Sequence, residues 1–126
     1  NDNYFSNTIP HELFHMTNLN YLDLSYNYLS SSISFSFMNF IDLLLIKVNN
    51  NCISGTLPIM NNNTLAIYSA NNNKFSGTLP SSLSLSLRNF DVSQNMLSST
   101  IPSIYAMYDD LNNINLASNS IRKYCI

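Results

Sequence analysis

The sequence predicts an α/β solenoid. Its concave side is a parallel β-sheet, its convex side a row of short 3-10 or irregular arcs, and the coil is right-handed. Three observations predict it. Six asparagines (Asn3, Asn27, Asn51, Asn73, Asn95 and Asn119) recur at separations of 24, 24, 22, 22 and 24 residues. Apolar residues hold fixed offsets from every one of them. A short segment ending in proline follows four of the six.

The strand comes first in each repeat. Eight residues before the asparagine stand Leu19, Leu43, Leu65, Leu87 and Leu111. Five before stand Leu22, Ile46, Tyr68, Phe90 and Ile114, and three before stand Leu24, Val48, Ala70, Val92 and Leu116. The last two columns are separated by one residue, so they alternate with period two. That is a short strand with one face buried. One strand per repeat, paired side by side, makes a parallel sheet.

The asparagine comes next, where the chain must turn out of the strand. Its amide carries both donors and acceptors, so it can satisfy backbone groups of its own rung and of the next. Asn27, Asn51, Asn73, Asn95 and Asn119 therefore read as a structural ladder. Two residues on stand Phe5, Leu29, Ile53, Phe75, Leu97 and Ile121, and six on stand Ile9, Ile33, Leu57, Leu79, Ile101 and Cys125. Both columns point inward.

The outer arc completes each repeat. Residues 54–58 and 76–80 both read Ser-Gly-Thr-Leu-Pro; 98–102 read Ser-Ser-Thr-Ile-Pro, and 6–10 read Ser-Asn-Thr-Ile-Pro. Asn7, Ser31 and Ser99 replace glycine in the other copies, and both residue types accept turns. Two arcs, between Pro58 and Leu65 and between Pro80 and Leu87, are two residues shorter than the rest. Loops on an outer surface tolerate such deletions.

The pattern L-x-x-L-x-L-x-x-N-x-L with a trailing S-G-x-I-P resembles the plant-type leucine-rich repeat family, whose repeats are one supersecondary unit each. The stretch from Ile9 to Asn27 matches it nearly position by position. The resemblance runs along the whole chain. It implies a single repeat domain over 1–126, about five repeats with partial ends, as a section of a longer array. Phe5 and Ile9 would face one open end, and Ile121 with Cys125 the other. The resemblance further implies the ectodomain of a receptor-like kinase or receptor-like protein, or a secreted inhibitor of cell-wall-degrading enzymes. Such a module is extracellular or membrane-anchored and is not an enzyme. Its partner is a protein or peptide ligand, with a co-receptor as a second candidate, and it needs no cofactor.

A ligand would meet the residues that alternate with the buried ones. Their first column runs Tyr21, Leu45, Ile67, Asn89, Asn113, and the second Asp23, Lys47, Ser69, Asp91, Asn115. The third runs Ser25, Asn49, Asn71, Ser93, Ala117, and the fourth Tyr26, Asn50, Asn72, Gln94, Ser118. Tyr21, Tyr26, Leu45 and Ile67 form the least polar corner, and exposed aromatics beside apolar residues are the usual ingredients of hot spots. Asp23 and Lys47 sit on adjacent rungs, where a surface pair contributes little. The candidate ligand-binding set is therefore Tyr21, Asp23, Tyr26, Leu45, Lys47 and Ile67.

Composition narrows the alternatives. Only 10% of residues are charged and the net charge is −2. Lys47, Lys74, Arg88, Arg122 and Lys123 form no basic run, which argues against nucleic acid. No 18-residue apolar stretch exists, so no membrane contact is expected from this segment. His11-Glu12-Leu13-Phe14-His15 satisfies H-E-x-x-H. That zinc chemistry needs both histidines on one face of a long helix, and the segment follows Pro10 on an outer arc where only a short turn fits. Cys52 and Cys125 are three rungs apart, roughly 14 Å at about 4.8 Å per strand, too far for a disulfide. Asn62-Asn63-Thr64 is a glycosylation sequon. Two rival functions carry distinct signatures: ice binding through the Asn49/Asn71 and Asn50/Asn72 ladders, and a degenerate relic, suggested by the worn glycines and shortened arcs.

Overall fold

A computed structural model describes residues 3–30, 32, 40–60 and 63–122. Ile33, Asn62, Lys123 and Cys125 lie outside the described residues, and the expectations attached to them end there.

The inward column dictates the main sheet. β2 (Tyr21–Asp23), β4 (Leu45–Lys47), β6 (Ile67–Ser69), β8 (Asn89–Asp91) and β10 (Asn113–Asn115) pair in parallel in that order. The register places Leu22, Ile46, Tyr68, Phe90 and Ile114 directly side by side. A slip of one residue would turn all of these side chains to water, so burial pins the register. Leu22, Ile46, Tyr68 and Phe90 are buried, while Ile114 in the edge strand is half open to solvent. The Tyr68 and Phe90 rings meet at 5.8 Å and the Phe90 and Tyr105 rings edge-on at 6.2 Å, so aromatic packing continues across three repeats. Burial raises the Tyr68 hydroxyl pKa far above its ordinary value, so the ring serves the core and stays neutral.

A second sheet forms in the segments that follow the ladder asparagines. β5 (Ser54–Thr56), β7 (Lys74–Gly77) and β9 (Met96–Leu97) form a three-stranded parallel sheet. β1 (Ser6–Asn7) pairs with β3 (Tyr28–Leu29), and single bridges join Ser32 to Ser54 and Thr100 to Arg122. The segments read from sequence as turns are thus mostly extended. The physical reason is repetition: equal spacing brings each such segment beside its counterpart, where unpaired N–H and C=O groups find partners. The turn chemistry survives within them. Gly55 (φ 97°), Gly77 (φ 82°) and Asn7 (φ 73°) occupy the left-handed region. A Cβ on Gly77 would lie 3.1 Å from Thr56 Cγ2, so that position favours glycine twice over.

The arcs hold five-residue 3-10 turns where the repeat is long enough. His11–His15 follows Pro10, and Ser103–Met107 follows Pro102. Proline pre-sets the backbone for entry into such a turn. The shortened arc after Pro80 contains none: Leu83 and Ser84 pass beneath the surface and are buried. The Tyr108 hydroxyl accepts from Leu83 N–H at 2.9 Å, and the Tyr105 hydroxyl donates to the Pro80 carbonyl at 2.8 Å. The longer arc thereby caps backbone groups that its short neighbour exposes. At the β1 end, Phe5, Ile9, Leu13, Met16, Leu24 and Leu29 line an apolar hollow of about 610 Å3.

Candidate functional site

The asparagine ladder positions everything on the concave face. Asn95 is representative. Its Oδ1 accepts from Phe75 N–H at 2.9 Å, while its Nδ2 donates to the carbonyls of Ala70, Val92 and Ser93 at 3.0, 3.1 and 3.0 Å. Asn51, Asn73 and Asn119 repeat this set on Leu29, Ile53 and Leu97 N–H. Each reaches the rung before it, where the sequence suggested the rung after. Asn27 accepts from Phe5 N–H and donates to Leu24 and Ser25 within its own rung.

Six and four residues before these asparagines come the exposed columns. Tyr21, Leu45 and Ile67 are register neighbours on β2, β4 and β6, as are Asp23, Lys47 and Ser69. Tyr21 is 65% exposed; Leu45 and Ile67 are half-buried. They form one continuous apolar strip beside a polar one. Asn89 and Asn113 extend the first column and end its apolar character.

The third column is mostly closed, contrary to the sequence expectation of open surface. Ser25, Asn49 and Ser93 are buried. At the two serines the contact is local, from the second column to the third. Asp23 Oδ1 accepts from the Ser25 N–H and hydroxyl, and Asp91 Oδ1 from the Ser93 N–H and hydroxyl. Asn115 Nδ2 adds a donor to Asp91 Oδ2 at 3.3 Å. Burial alone pushes the Asp23 carboxyl pKa up. The Ser25 hydroxyl and N–H, with the Lys47 charge, outweigh it and hold the group below its ordinary value. Asn49 is buried and Asn71 half-buried, whereas Asn50 is half-buried and Asn72 exposed, joined by a 2.7 Å hydrogen bond from Asn72 Nδ2 to Asn50 Oδ1.

Tyr26 lies past the end of β2. It turns the chain at φ 56°, in line with Asn50, Asn72, Gln94 and Ser118, all left-handed. There it lines a hollow of about 340 Å3 with Asn3, Tyr4, Asn27, Tyr28 and Asn50. Sequence reasoning passed over Tyr4 and Tyr28. Their signal was present: each stands one residue after a ladder asparagine on adjacent rungs.

His11 and His15 do not form the helical pair of a zinc hydrolase. A 3-10 turn advances by about a third of a revolution per residue, so i and i+4 diverge where an α-helix would align them. Their rings sit 5.8 Å apart and edge-on, on the exposed arc. Among the described residues no group of three or more His, Cys, Asp or Glu side chains converges to hold a metal. Cys52 is an exposed free thiol. No helix among the described residues is long and apolar enough to cross a membrane.

Comparison with known proteins places this geometry. The leucine-rich repeat family model matches residues 18–40. The crystal structure of a TDR receptor is 30% identical with a TM-score of 0.88, covering 94% of this chain and 21% of that one. The ectodomain of the Arabidopsis receptor kinase HAESA, in complex with an IDA peptide hormone ligand lengthened at its N-terminus, is 32% identical with a TM-score of 0.87. That match covers 94% of this chain and 20% of that one. The BIR3–SERK2 complex from Arabidopsis thaliana is 30% identical with a TM-score of 0.72, covering 96% of this chain and 69% of that one. The chain thus spans about a fifth of the length of the two receptor chains. No curated protein matches by sequence. The repeat pattern, the paired sheets and these likenesses agree: the chain belongs to the plant-type leucine-rich repeat family.

Proposed function

We propose that this chain is the ligand-binding section of an extracellular receptor-like protein, taking an extended peptide across its concave sheet. It is a binding scaffold and carries out no catalysis. The observation that carries this reading is the strip Tyr21–Leu45–Ile67 beside Asp23–Lys47–Ser69. Apolar side chains of a peptide would cover the first column, and its polar groups would meet the second. An exposed tyrosine contributes large contact area at low entropy cost, as binding hot spots do. HAESA, similar over nearly the whole of this chain, is a peptide-hormone complex, which supports a peptide as ligand. The BIR3–SERK2 complex supports a second protein as a further partner.

The test is selection of binders from a random peptide library on the 126-residue chain. Affinities of the selected peptides are then measured for Ile67→Asp and Tyr21→Ala. The reading expects saturable binding that weakens by at least about tenfold, or about 1.4 kcal/mol, in each variant. Selected peptides that bind both variants as well as the parent chain would refute the concave strip as the site. Retained circular dichroism separates lost binding from lost folding.

A further inference from the structure

The hollow around Tyr26 carries a separate inference, from residues that the concave strip does not use. Its lining is three phenols and three amides: Tyr4, Tyr26, Tyr28, Asn3, Asn27 and Asn50. Among the described residues no charged and no aliphatic side chain contributes. Its volume of about 340 Å3 falls at the small end of ligand sites. The apolar hollow at the β1 end has the opposite character.

Three features indicate that these rings are arranged for an occupant. Tyr4 and Tyr28 are stacked within 12° of parallel at 6.2 Å, yet they are 87% and 60% exposed. Tyr26 is 55% exposed and sits at φ 56°. The left-handed region costs a bulky residue energy that asparagine largely avoids, and asparagine stands there on the next two rungs. The turn is left-handed on every rung, through Gln94 and Ser118 as well, so its backbone belongs to the repeat; what sets Tyr26 apart in this column is an aromatic ring held out in solvent with no core packing in return. Finally, the three phenol hydroxyls have no hydrogen-bond partner among the described residues. Asn27 is committed to Phe5, Leu24 and Ser25. Asn50 Oδ1 is held by Asn72 Nδ2 at 2.7 Å, which fixes the Asn50 amide in the rim.

The geometry points to a binding site for a neutral sugar: one β-linked glucopyranose unit of an oligosaccharide. The C–H face of such a ring carries slightly positive hydrogens and stacks on the negative face of an aromatic ring. Its hydroxyls are all equatorial, so they leave the stack sideways, towards phenol hydroxyls that both donate and accept and towards the Asn50 Nδ2. An anionic sugar would find no cation among the described residues of this lining. An aliphatic peptide side chain would leave the phenol hydroxyls desolvated and unpaired.

Cellotetraose titrated into the 126-residue chain, followed through the tyrosine ring resonances, tests the site. The expected result is saturable binding with a Kd of about 1 mM. Tyr26→Asn decides the matter, because it removes the ring while suiting the left-handed backbone. It should bind at least about tenfold more weakly while melting at the same or a higher temperature. Tyr28→Ala should weaken binding as well, and Met107→Ala, on the distant 3-10 turn, should leave it unchanged. The proposal is overturned by any of three outcomes: no saturable shift, full affinity in Tyr26→Asn, or a lower melting temperature in Tyr26→Asn, which would make the ring structural. Preference for tetragalacturonate over cellotetraose would equally overturn the neutral-sugar assignment. Failure of the concave strip to bind peptides would leave each of these results unaffected.

Discussion

Replacing Asn95 with alanine removes four hydrogen bonds at once, and the structure shows which losses matter. The Ala70 carbonyl still receives Asn73 Nδ2, the Val92 carbonyl still receives Asn119 Nδ2, and the Ser93 carbonyl still receives Asn72 N–H. Those three acceptors each drop from two donors to one, at about 0.5 kcal/mol apiece. Phe75 N–H loses the Asn95 acceptor in a buried setting, which costs about 2 kcal/mol. The sum is about 3–4 kcal/mol, against a total stability of roughly 10 kcal/mol for a chain of this length. Asn95→Asp sharpens the test. It keeps an acceptor for Phe75 but turns a carboxylate towards three carbonyls, so at neutral pH it should destabilise more than alanine. Burial and the facing carbonyls raise that carboxyl's folded pKa above its unfolded value of about 3.9. The folded state then holds the extra proton, so the deficit should shrink as pH falls towards about 4 and grow as pH rises through that window. Urea unfolding followed by circular dichroism gives both numbers. A cost below about 1 kcal/mol for Asn95→Ala, or an aspartate milder than alanine at pH 7, would refute the assignment of stability to this donor set.

Three further outcomes follow from the same coordinates. Gly77→Ala should cost about 1–2 kcal/mol, measured by thermal melting, because it strains φ 82° and crowds Thr56; Gly77→Asn should cost less, as Asn7 holds the equivalent place. Tyr105→Phe should cost about 1–2 kcal/mol in urea unfolding, since it strips the Pro80 carbonyl of a buried donor; a neutral result would mean that water replaces the hydroxyl. Asp23 has a lowered pKa, so its contribution is present above the unfolded value of about 3.9 and is lost as pH falls through the folded one. Acid titration of stability should be slightly flatter in Asp23→Asn, by less than about 1 kcal/mol because the group is partly solvated.

Much of this molecule could be read before any coordinates. The column Leu22, Ile46, Tyr68, Phe90 fixed the strands and their register, because a period-two pattern repeated at constant spacing admits a single alignment. The fates of polar residues were harder to read. Ser25 and Ser93 vanish from the surface because Asp23 and Asp91 fold over them, a contact two residues away that no periodicity announces. The second sheet was hidden for a related reason. Ser-Gly-Thr-Leu-Pro reads locally as a turn, and only its neighbour at the same height makes it a strand. Within the candidate site, Tyr21, Leu45 and Ile67 came together as the register required. Tyr26 lies past the strand end, where a left-handed backbone turns the chain, and an isolated tyrosine does not disclose that.

The backward reach of the ladder is one half of a lacing that runs in both directions. Lifting away a rung on the β10 side uncovers backbone N–H groups in the rung that remains, as Phe75 depends on Asn95 and Leu24 on the Lys47 carbonyl. Lifting one away on the β2 side does the same, as Cys52 N–H depends on the Leu29 carbonyl and Leu44 N–H on that of Asn20. Rungs are therefore stitched like the two sides of a seam, and neither side comes away without opening backbone groups on the other.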